Sequence, residues 1–292
     1  MATHPVPGRV ALVVHPTRPV DRAVGTLTQW AGATGVEMVQ LAVDGEQRPG
    51  LAAGTLQDGD LVIAVGGDGT VLAALRAAAA KGAPVLGVAC GSLGALTAVA
   101  AEHLAEKLEL VWAGEWTARS LPALAIAAAG APDDWAANDW VVTRHGAGQL
   151  VAEVSLDDEL YVRIAGDGVV VATALGSSAY SMAAGGPVLA AGTSAFICTP
   201  LAMHGGSAPP LVVPADAVVT VEVHPGYGGF EVEIDGQVRA VEVRTFQLTL
   251  HPGRLTLVDF GPASGHGLAG LRKRGLVTDS PRVLARDARA ER

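Results

Sequence analysis

Residues Leu61–Thr70 have the sequence LVIAVGGDGT, an apolar run that leads into a glycine-rich turn. Its first five residues are apolar, which predicts a buried strand, and the following residues, VLAAL, have the composition of a helix. In a parallel α/β sheet, a glycine turn between strand and helix opens at the edge where ligands bind, and the helix offers unpaired N–H groups to an anion. The stretch therefore predicts a phosphate-binding loop.

Asp68 is the distinctive residue of this loop. A carboxylate beside phosphate groups repels them unless it accepts a proton or binds a metal ion, so its presence indicates a general base or a ligand of Mg²⁺. The loop also fits a tight turn in which glycine supplies backbone freedom and Asp68 caps the helix. Both interpretations remain open on the loop alone.

The pattern of apolar residues changes about one third of the way along the chain. In the first part, short apolar runs alternate with helical segments, which is typical of parallel βαβ units. Short runs rich in β-branched residues then dominate. We therefore predict a Rossmann-like parallel α/β domain over residues 1–115 and an all-β, β-sandwich-like domain over residues 116–277. Residues 278–292 lack sustained apolar periodicity and are expected to form a flexible tail.

The chain of 292 residues carries a formal net charge of −9. Affinity for a nucleic-acid backbone depends on arrays of Lys and Arg, so nucleic acid is not an expected partner. If the ligand is anionic nonetheless, it must be held by backbone N–H groups, helix N-termini, a few basic residues and metal ions.

Residues 168–215 contain no Asp, Glu, Lys or Arg. Gly and Pro divide this stretch into pieces shorter than the roughly 20 apolar residues that a membrane-spanning helix needs, so we expect a buried core, ligand pocket or subunit interface and no membrane partner. The N-terminus lacks the pattern of a secretory signal, which predicts a cytoplasmic protein. Cys90 and Cys198 lack the spacing of a zinc site or disulfide framework and are expected to be free thiols.

Further motifs follow the loop along the chain. They are GSLG at residues 91–94, Asn138-Asp139, Gly166-Asp167-Gly168 and GSSAY at residues 176–180. In order and spacing, these motifs and the GGDGT loop resemble the ATP–NAD kinase family, over roughly Val10 to Leu271. The resemblance implies an N-terminal α/β domain, a C-terminal β-sandwich-like domain, and phosphoryl transfer from ATP to NAD with Mg²⁺ or another divalent cation.

The resemblance also implies roles for the loop residues. Asp68 would deprotonate the 2′-hydroxyl of the adenosine ribose, while Gly67 and Gly69 would leave room for phosphates and a metal ion. Thr70 and Leu93 would belong to the same nucleotide-binding group. Whether Asp68 acts mainly as base or as metal ligand stays open, so no metal-binding residue is assigned.

In the second domain, the resemblance implies a site for the remainder of the nucleotide substrate. Asn138 and Asp139 would hold a ribose or the second nucleotide half, since an amide and a carboxylate both bond vicinal hydroxyls. Asp167 would lie at the nicotinamide side. The adenine pocket would be formed by three residues, Ser178, Ala179 and Tyr180.

Each of these residues also has a local alternative. Asn138 and Asp139 are common turn formers, and Asp167 between two glycines fits a hairpin turn. Ser177 and Ser178 fit the cap of a short helix, and Tyr180 fits a core aromatic residue with one polar contact.

The chain departs from the family pattern at three positions. Leu175 stands where a hydroxyl donor is usual, Ala95 where an aromatic residue is frequent, and Asp139 where Glu is commoner. Loss of one hydrogen bond to a ligand costs about 0.5–1.5 kcal/mol, which weakens binding without abolishing transfer. Ala165, two residues before Asp167, is small, and the resemblance therefore implies tolerance of both NAD and NADH.

The resemblance thus implies a kinase with NAD(H) as acceptor, ATP or polyphosphate as donor, and a homodimeric or homotetrameric assembly. Two alternatives remain. Lipid kinases of the diacylglycerol and sphingosine type carry a similar glycine loop. Leu175 and Ala95 also leave open a non-catalytic dinucleotide-binding protein.

Overall fold

The computed structural model describes residues 4–42, 47–261 and 268–290, and its contacts divide the chain into two compact units. The first unit consists of residues 1–119 and 257–292, and the second of residues 120–256. The apolar pattern of the sequence instead predicted that residues 257–277 belong to the second domain. The difference arises because a long strand, described below, ends in the sheet of the first unit.

The first unit contains a parallel sheet with helices between its strands. The elements are β1 Arg9–Val14, α1 Asp21–Thr34, β2 Glu37–Gln40, β3 Leu61–Gly66, α2 Asp68–Ala78, β4 Val85–Ala89, β5 Val99–Ala100 and α3 Leu104–Trp112. β1 lies between β2 and β3, and β4 pairs with both β3 and β5, always in parallel. The predicted parallel α/β domain is confirmed.

Helices cover both faces of this sheet. One core cluster combines side chains from alternate positions of β1, β3 and β4 with side chains from α1 and α3. The intervening strand residues face the other way. There α2 packs so closely that a Cβ atom at Gly87 of β4 would lie 2.9 Å from Cγ2 of Val71. Burial on both faces explains why these strands are almost continuously apolar.

The second unit is built mainly from antiparallel strands. The elements are β6 Thr117–Ala127, β7 Asp134–Ala136, β8 Asp139–Arg144, β9 Leu150–Leu156, β10 Glu159–Gly166, β11 Gly168–Ala172, α4 Tyr180–Ala183, β12 Ala195–Leu201, β13 Leu211–Pro214, β14 Val219–His224, β15 Phe230–Ile234, β16 Gln237–Arg239 and β17 Thr245–Asp259. Of these, β6 and β17 extend past the boundary into the first unit.

These strands form two layers around one core. One layer has the order β10-β9-β14-β17, with β6 pairing with both β17 and β7, and the other has the order β13-β12-β11-β8-β15-β16. Side chains from both layers, including Trp140, Phe196 and Phe246, share a single hydrophobic cluster. The predicted β-sandwich-like fold is confirmed.

Strand β17 accounts for the division of the chain. Its first part pairs with β14 in the second unit, where Leu248 lies opposite Val219. Its last part reaches the first unit, where Leu257 pairs in parallel with Val85 of β4. The chain therefore returns to the sheet of the first unit after completing the second.

The uncharged stretch at residues 168–215 supplies core strands. Every residue of β11 is buried, as is most of β12. Cys198 of β12 is a free buried thiol whose pKa burial raises to about 12, and Cys90 is free and half-buried. Across the described ranges, no helix has the length and apolar character needed to cross a membrane.

Two helices follow β17, namely α5 Leu268–Lys273 and α6 Pro281–Ala290. Helix α6 lies in the tail for which the sequence predicted no regular structure. It begins at a proline, whose ring suits the first helical position, and its Ala and Arg residues are good helix formers. Its described side chains are exposed.

Candidate functional site

The predicted strand, glycine turn and helix form one continuous unit around residue 67. β3 ends at Gly66, Gly67 is the N-cap in extended conformation, and α2 begins at Asp68. A Cβ atom at Gly66 would overlap the hydroxyl of buried Thr70, so glycine is required there. Asp68 is the first helical residue and does not cap α2 through its side chain. The alternative of a capped turn is therefore wrong in its assignment of the carboxylate.

The Asp68 carboxylate is held by the segment that follows β4. Its Oδ2 atom accepts a hydrogen bond from the Ala95 backbone N–H at 2.8 Å, and its Oδ1 atom accepts one from Leu96 at 2.9 Å. A Cβ atom at Gly94 would overlap this carboxylate. Glycine is therefore required at the last position of the GSLG motif, because a side chain there would displace the Asp68 carboxylate.

A cleft of about 680 Å³ opens beside this carboxylate within the first unit. Its lining includes all four predicted loop residues, Gly67, Asp68, Gly69 and Thr70. Ser92 and Gly94 also line it, and Leu93 lies partly buried between them. A Cβ atom at Gly69 would meet nothing within 4 Å, so the backbone of the first turn of α2 borders open space. The cleft can therefore admit a phosphate group beside this turn.

Arg18 is a cleft residue that the sequence analysis missed. It follows β1, and its Nη1 atom would lie 3.2 Å from a Cβ atom at Gly67. The Nδ1 atom of His15, also in the lining, accepts the Arg18 backbone N–H at 3.2 Å and helps to fix this turn. The signal was available, because a basic residue just after a parallel strand in an acidic chain is a candidate for holding an anion.

In the second unit, Asn138 and Asp139 lie where β8 begins. Asp139 is only 6% exposed, and its burial, followed by the charges of Asp235 and Glu233, raises its pKa to about 7. In the described part of the chain, neither the Asn138 amide nor the Asp139 carboxylate makes a hydrogen bond. The turn-former alternative is therefore weakened, because these side chains are not used to stabilise the turn.

Asp167 connects β10 in one layer to β11 in the other. The hairpin-turn alternative for this residue is wrong, because β10 and β11 do not pair with each other. Its carboxylate accepts a hydrogen bond from Nε of Arg144 at 2.5 Å. Gly168 has a φ of 155°, and a Cβ atom there would overlap the carbonyl oxygen of Val142. The glycines on either side of Asp167 thus allow the chain to pass from one layer to the other where there is no room for a side chain.

The segment Ser178–Tyr180 joins a 3₁₀ turn at Gly176–Ser178 to α4. The Ser178 hydroxyl donates to the Leu175 carbonyl at 3.4 Å, and no side chain of the described residues caps α4. Tyr180 is 42% exposed, so the core-aromatic alternative is wrong. The Tyr180 pKa is raised, first by partial burial of the side chain and then by the negative charges of Glu233, Asp167 and Asp139.

The predicted residues thus form two groups, one in each unit. The first unit brings together Gly67, Asp68, Gly69, Thr70 and Leu93, and the second contains Asn138, Asp139, Asp167, Ser178, Ala179 and Tyr180. Within the second group, a Cβ atom at Gly176 would overlap the Asn138 carbonyl, so the GSSAY segment packs directly on the Asn-Asp turn. Among the described residues, no group of three or more His, Cys, Asp or Glu residues converges on one point.

Comparisons with known proteins match both halves of the chain. A model of the ATP-NAD kinase N-terminal domain matches residues 10–116, and one of the ATP-NAD kinase C-terminal domain matches residues 138–245. The NAD kinase of Koribacter versatilis (strain Ellin345) is 36% identical over 243 residues, covering 78% of this chain and 84% of the relative. The NAD kinase of Heliobacterium modesticaldum is 37% identical over 183 residues, covering 61% and 65%.

Solved structures share the fold. A yeast NADH kinase in complex with NADH has a TM-score of 0.76 at 19% identity, covering 93% of this chain and 88% of that chain. An NAD kinase from Archaeoglobus fulgidus in complex with ATP has a TM-score of 0.69 at 24% identity, covering 92% and 96%. The two family models and the relative from Koribacter versatilis show that the chain belongs to the ATP-NAD kinase family.

Proposed function

We propose that this chain is an NAD kinase that transfers the γ-phosphoryl group of ATP to the 2′-hydroxyl of NAD(H). Membership of the family supports this reaction. The observation that carries the residue assignment is the Asp68 carboxylate, which two backbone N–H groups hold beside a cleft lined by the first turn of α2. A fixed acceptor at that position suits proton transfer from an attacking hydroxyl.

In this mechanism, Asp68 accepts the proton of the 2′-hydroxyl while the oxygen forms a bond to the γ-phosphorus atom. The bond between that phosphorus atom and the ADP oxygen breaks, and the proton later leaves Asp68 for solvent. Phosphoryl transfer depends mainly on alignment and on stabilisation of phosphate charge. The N–H groups at the start of α2 and the Arg18 guanidinium are the groups available here for that charge.

Mg²⁺ enters this account as part of the donor. It usually binds through one or two carboxylates and the substrate's phosphates, so it does not need a cluster of protein ligands. Among the described residues, Asp68 is the one carboxylate in the lining of the cleft, so the ion would be held mainly by the phosphates of ATP and by water, with Asp68 left to accept the proton. Bound there with ATP, the ion would neutralise charge on the phosphates.

The second unit supplies the remaining substrate contacts in this proposal. Asn138 and Asp139 hold ribose hydroxyls, and Asp167 contributes at the nicotinamide side. Ser178, Ala179 and Tyr180 hold the adenine, with Tyr180 partly exposed and able to stack. Use of polyphosphate as donor, use of NADH as acceptor, a cytoplasmic location and a homodimeric or homotetrameric assembly are further parts of the proposal.

The test is an assay with competing acceptors. Purified protein is incubated with ATP and Mg²⁺ and with NAD, NADH, diacylglycerol or sphingosine in turn, and NADP is detected with an NADP-specific dehydrogenase. We expect phosphorylation of the dinucleotides alone. Phosphorylation of a lipid instead would move the chain to the lipid-kinase branch, and NAD binding without any product would favour a non-catalytic binding protein.

A further inference from the structure

Asp235 makes the densest set of contacts to the Asn138–Asp139 turn, and neither the sequence analysis nor the family resemblance gave it a role. Its Oδ1 atom accepts the N–H groups of Asn138 at 2.7 Å and Asp139 at 3.3 Å, and its Oδ2 atom accepts that of Ala137 at 3.0 Å. The Asp235 N–H donates to the Asp139 carbonyl at 3.0 Å. One residue thus binds three consecutive residues of the turn.

Thr173 completes the contacts to the same turn. Its hydroxyl donates to the Ala137 carbonyl at 2.6 Å, and its backbone N–H donates to the Asn138 carbonyl at 2.8 Å. Together with Asp235, it pairs every backbone N–H and C=O of residues 137–139. The backbone of the turn is therefore fixed, and the side chains of Asn138 and Asp139 are left for another task.

The local hairpin explains only part of the identity of residue 235. Asp235 and Gly236 form a two-residue loop between β15 and β16, with positive φ angles of 52° and 75°. Such turns favour Asn-Gly as well as Asp-Gly, so the hairpin does not require a carboxylate. The three N–H groups that residue 235 accepts do require a carboxylate. An amide side chain has only one acceptor oxygen and would turn its NH₂ group toward one of these donors.

We propose that Asp235 is a positioning residue, whose carboxylate holds the Asn138–Asp139 turn in the conformation that binds the dinucleotide. The inference rests on the proposed function, since it takes Asn138 and Asp139 as substrate contacts. Asp235 does not itself touch the substrate in this account. Its removal changes NAD binding through the turn.

The test compares Asp235→Asn with a matched control at Asp157. Asp157 makes a similar reciprocal contact in the same unit, because its carboxylate accepts the Val218 N–H at 2.8 Å, its own N–H donates to the Val218 carbonyl at 3.0 Å, and its φ is 47°. Asp157→Asn therefore makes the same change from carboxylate to amide at a bonded turn residue away from the Asn138–Asp139 turn. Isothermal titration gives the dissociation constant for NAD, and steady-state kinetics gives KM for ATP.

We expect Asp235→Asn to weaken NAD binding about tenfold or more, the loss typical of hydrogen bonds to a charged group, with KM for ATP unchanged. Asp157→Asn should leave both constants unchanged. Asp235→Glu, which keeps the charge but moves the oxygens by one methylene, should weaken NAD binding to an intermediate degree and serves the comparison if the Asn variant does not fold.

Several outcomes would overturn the inference. Unchanged NAD affinity in a folded Asp235 variant, or an equal loss in Asp157→Asn, would show that the turn does not depend on Asp235 in this way. Failure of both Asp235 variants to fold would indicate a role in overall stability. A wild-type chain that binds no NAD would instead contradict the proposed function, and this inference with it, so the two failures are distinguishable.

Discussion

The two central carboxylates are held in different ways. Asp68 accepts two backbone N–H groups and lines an open cleft. Asp139 is buried, and within the described ranges its carboxylate has no hydrogen bond, while two acidic neighbours raise its pKa further. A fixed acceptor suits proton transfer, whereas a buried and unpaired carboxylate suits hydrogen bonding to a ligand hydroxyl.

The raised pKa of Asp139 predicts a pH dependence of stability. Because the folded-state pKa of about 7 exceeds the ordinary value of 3.8, the contribution of Asp139 to stability is fully present below the ordinary value. It is lost as the pH rises through about 7. Relative to Asp139→Asn, the wild-type free energy of unfolding should fall by about 2–4 kcal/mol over this range. Urea unfolding of both proteins at several pH values measures this difference, and a constant difference would contradict the prediction.

Arg18 should contribute to donor binding, because its guanidinium lies against Gly67 at the cleft. Arg18→Ala is expected to raise KM for ATP about tenfold to a hundredfold, the cost of losing a hydrogen bond to a charged phosphate, and to leave NAD affinity unchanged. Arg22→Ala, at an exposed position in α1, is the control and should have no effect. Equal KM values for ATP in the two variants would remove Arg18 from the donor site.

Site residues that lie within short local motifs could be predicted from the sequence. Asp68 stands out because glycines surround it, and this signal is contained in five consecutive residues. The family resemblance extends to Ile234-Asp235-Gly236-Gln237 but gives Asp235 no role, since the turn that it holds lies 97 residues away from it at Asn138. The position of Arg18 just after β1 makes it a candidate for holding an anion, but its proximity to Gly67 depends on the pairing of β1 with β3. Contacts of this kind follow from the tertiary fold and have no local pattern.

Among the elements, the step from β10 to β11 depends on a glycine at position 168. Gly168→Ala is expected to destabilise the chain by about 2–4 kcal/mol, because the positive φ and the overlap with the Val142 carbonyl both oppose a side chain. Gly32→Ala in α1, where a Cβ atom would meet nothing within 4 Å, should be neutral or stabilising. Urea unfolding of both variants measures the effect, and similar stabilities would contradict this account of the crossing.

The periodicity of the sequence predicted the elements better than their connections. Parallel strands buried on both faces are continuously apolar, so β1, β3 and β4 were identified directly. A hairpin turn at Asp167 was one alternative, because the sequence Gly-Asp-Gly is consistent both with a hairpin turn and with a connection between two layers. The return of β17 to the first unit also lacks a local signal, because its pairing with β4 joins residues that are far apart in the sequence.

At the scale of the whole molecule, the net charge of −9 limits how phosphates can be held. The chain carries more acidic than basic residues, so we expect backbone N–H groups, Arg18 and the metal ion that accompanies ATP to provide the positive charge. The backbone N–H groups at the start of α2 and the Asp68 carboxylate beside them are therefore central to the proposed mechanism.

The proposed role of Asp68 as the general base is tested most directly by the kcat of Asp68→Asn with ATP and NAD. We expect kcat to fall about 10²–10⁴-fold, the usual contribution of a general base, while NAD affinity is retained. Asp58→Asn is the control, because Asp58 is an exposed carboxylate of the first unit that pairs with Lys81, outside the cleft lining, and its loss should leave kcat unchanged. A wild-type kcat in Asp68→Asn would contradict the proposed mechanism.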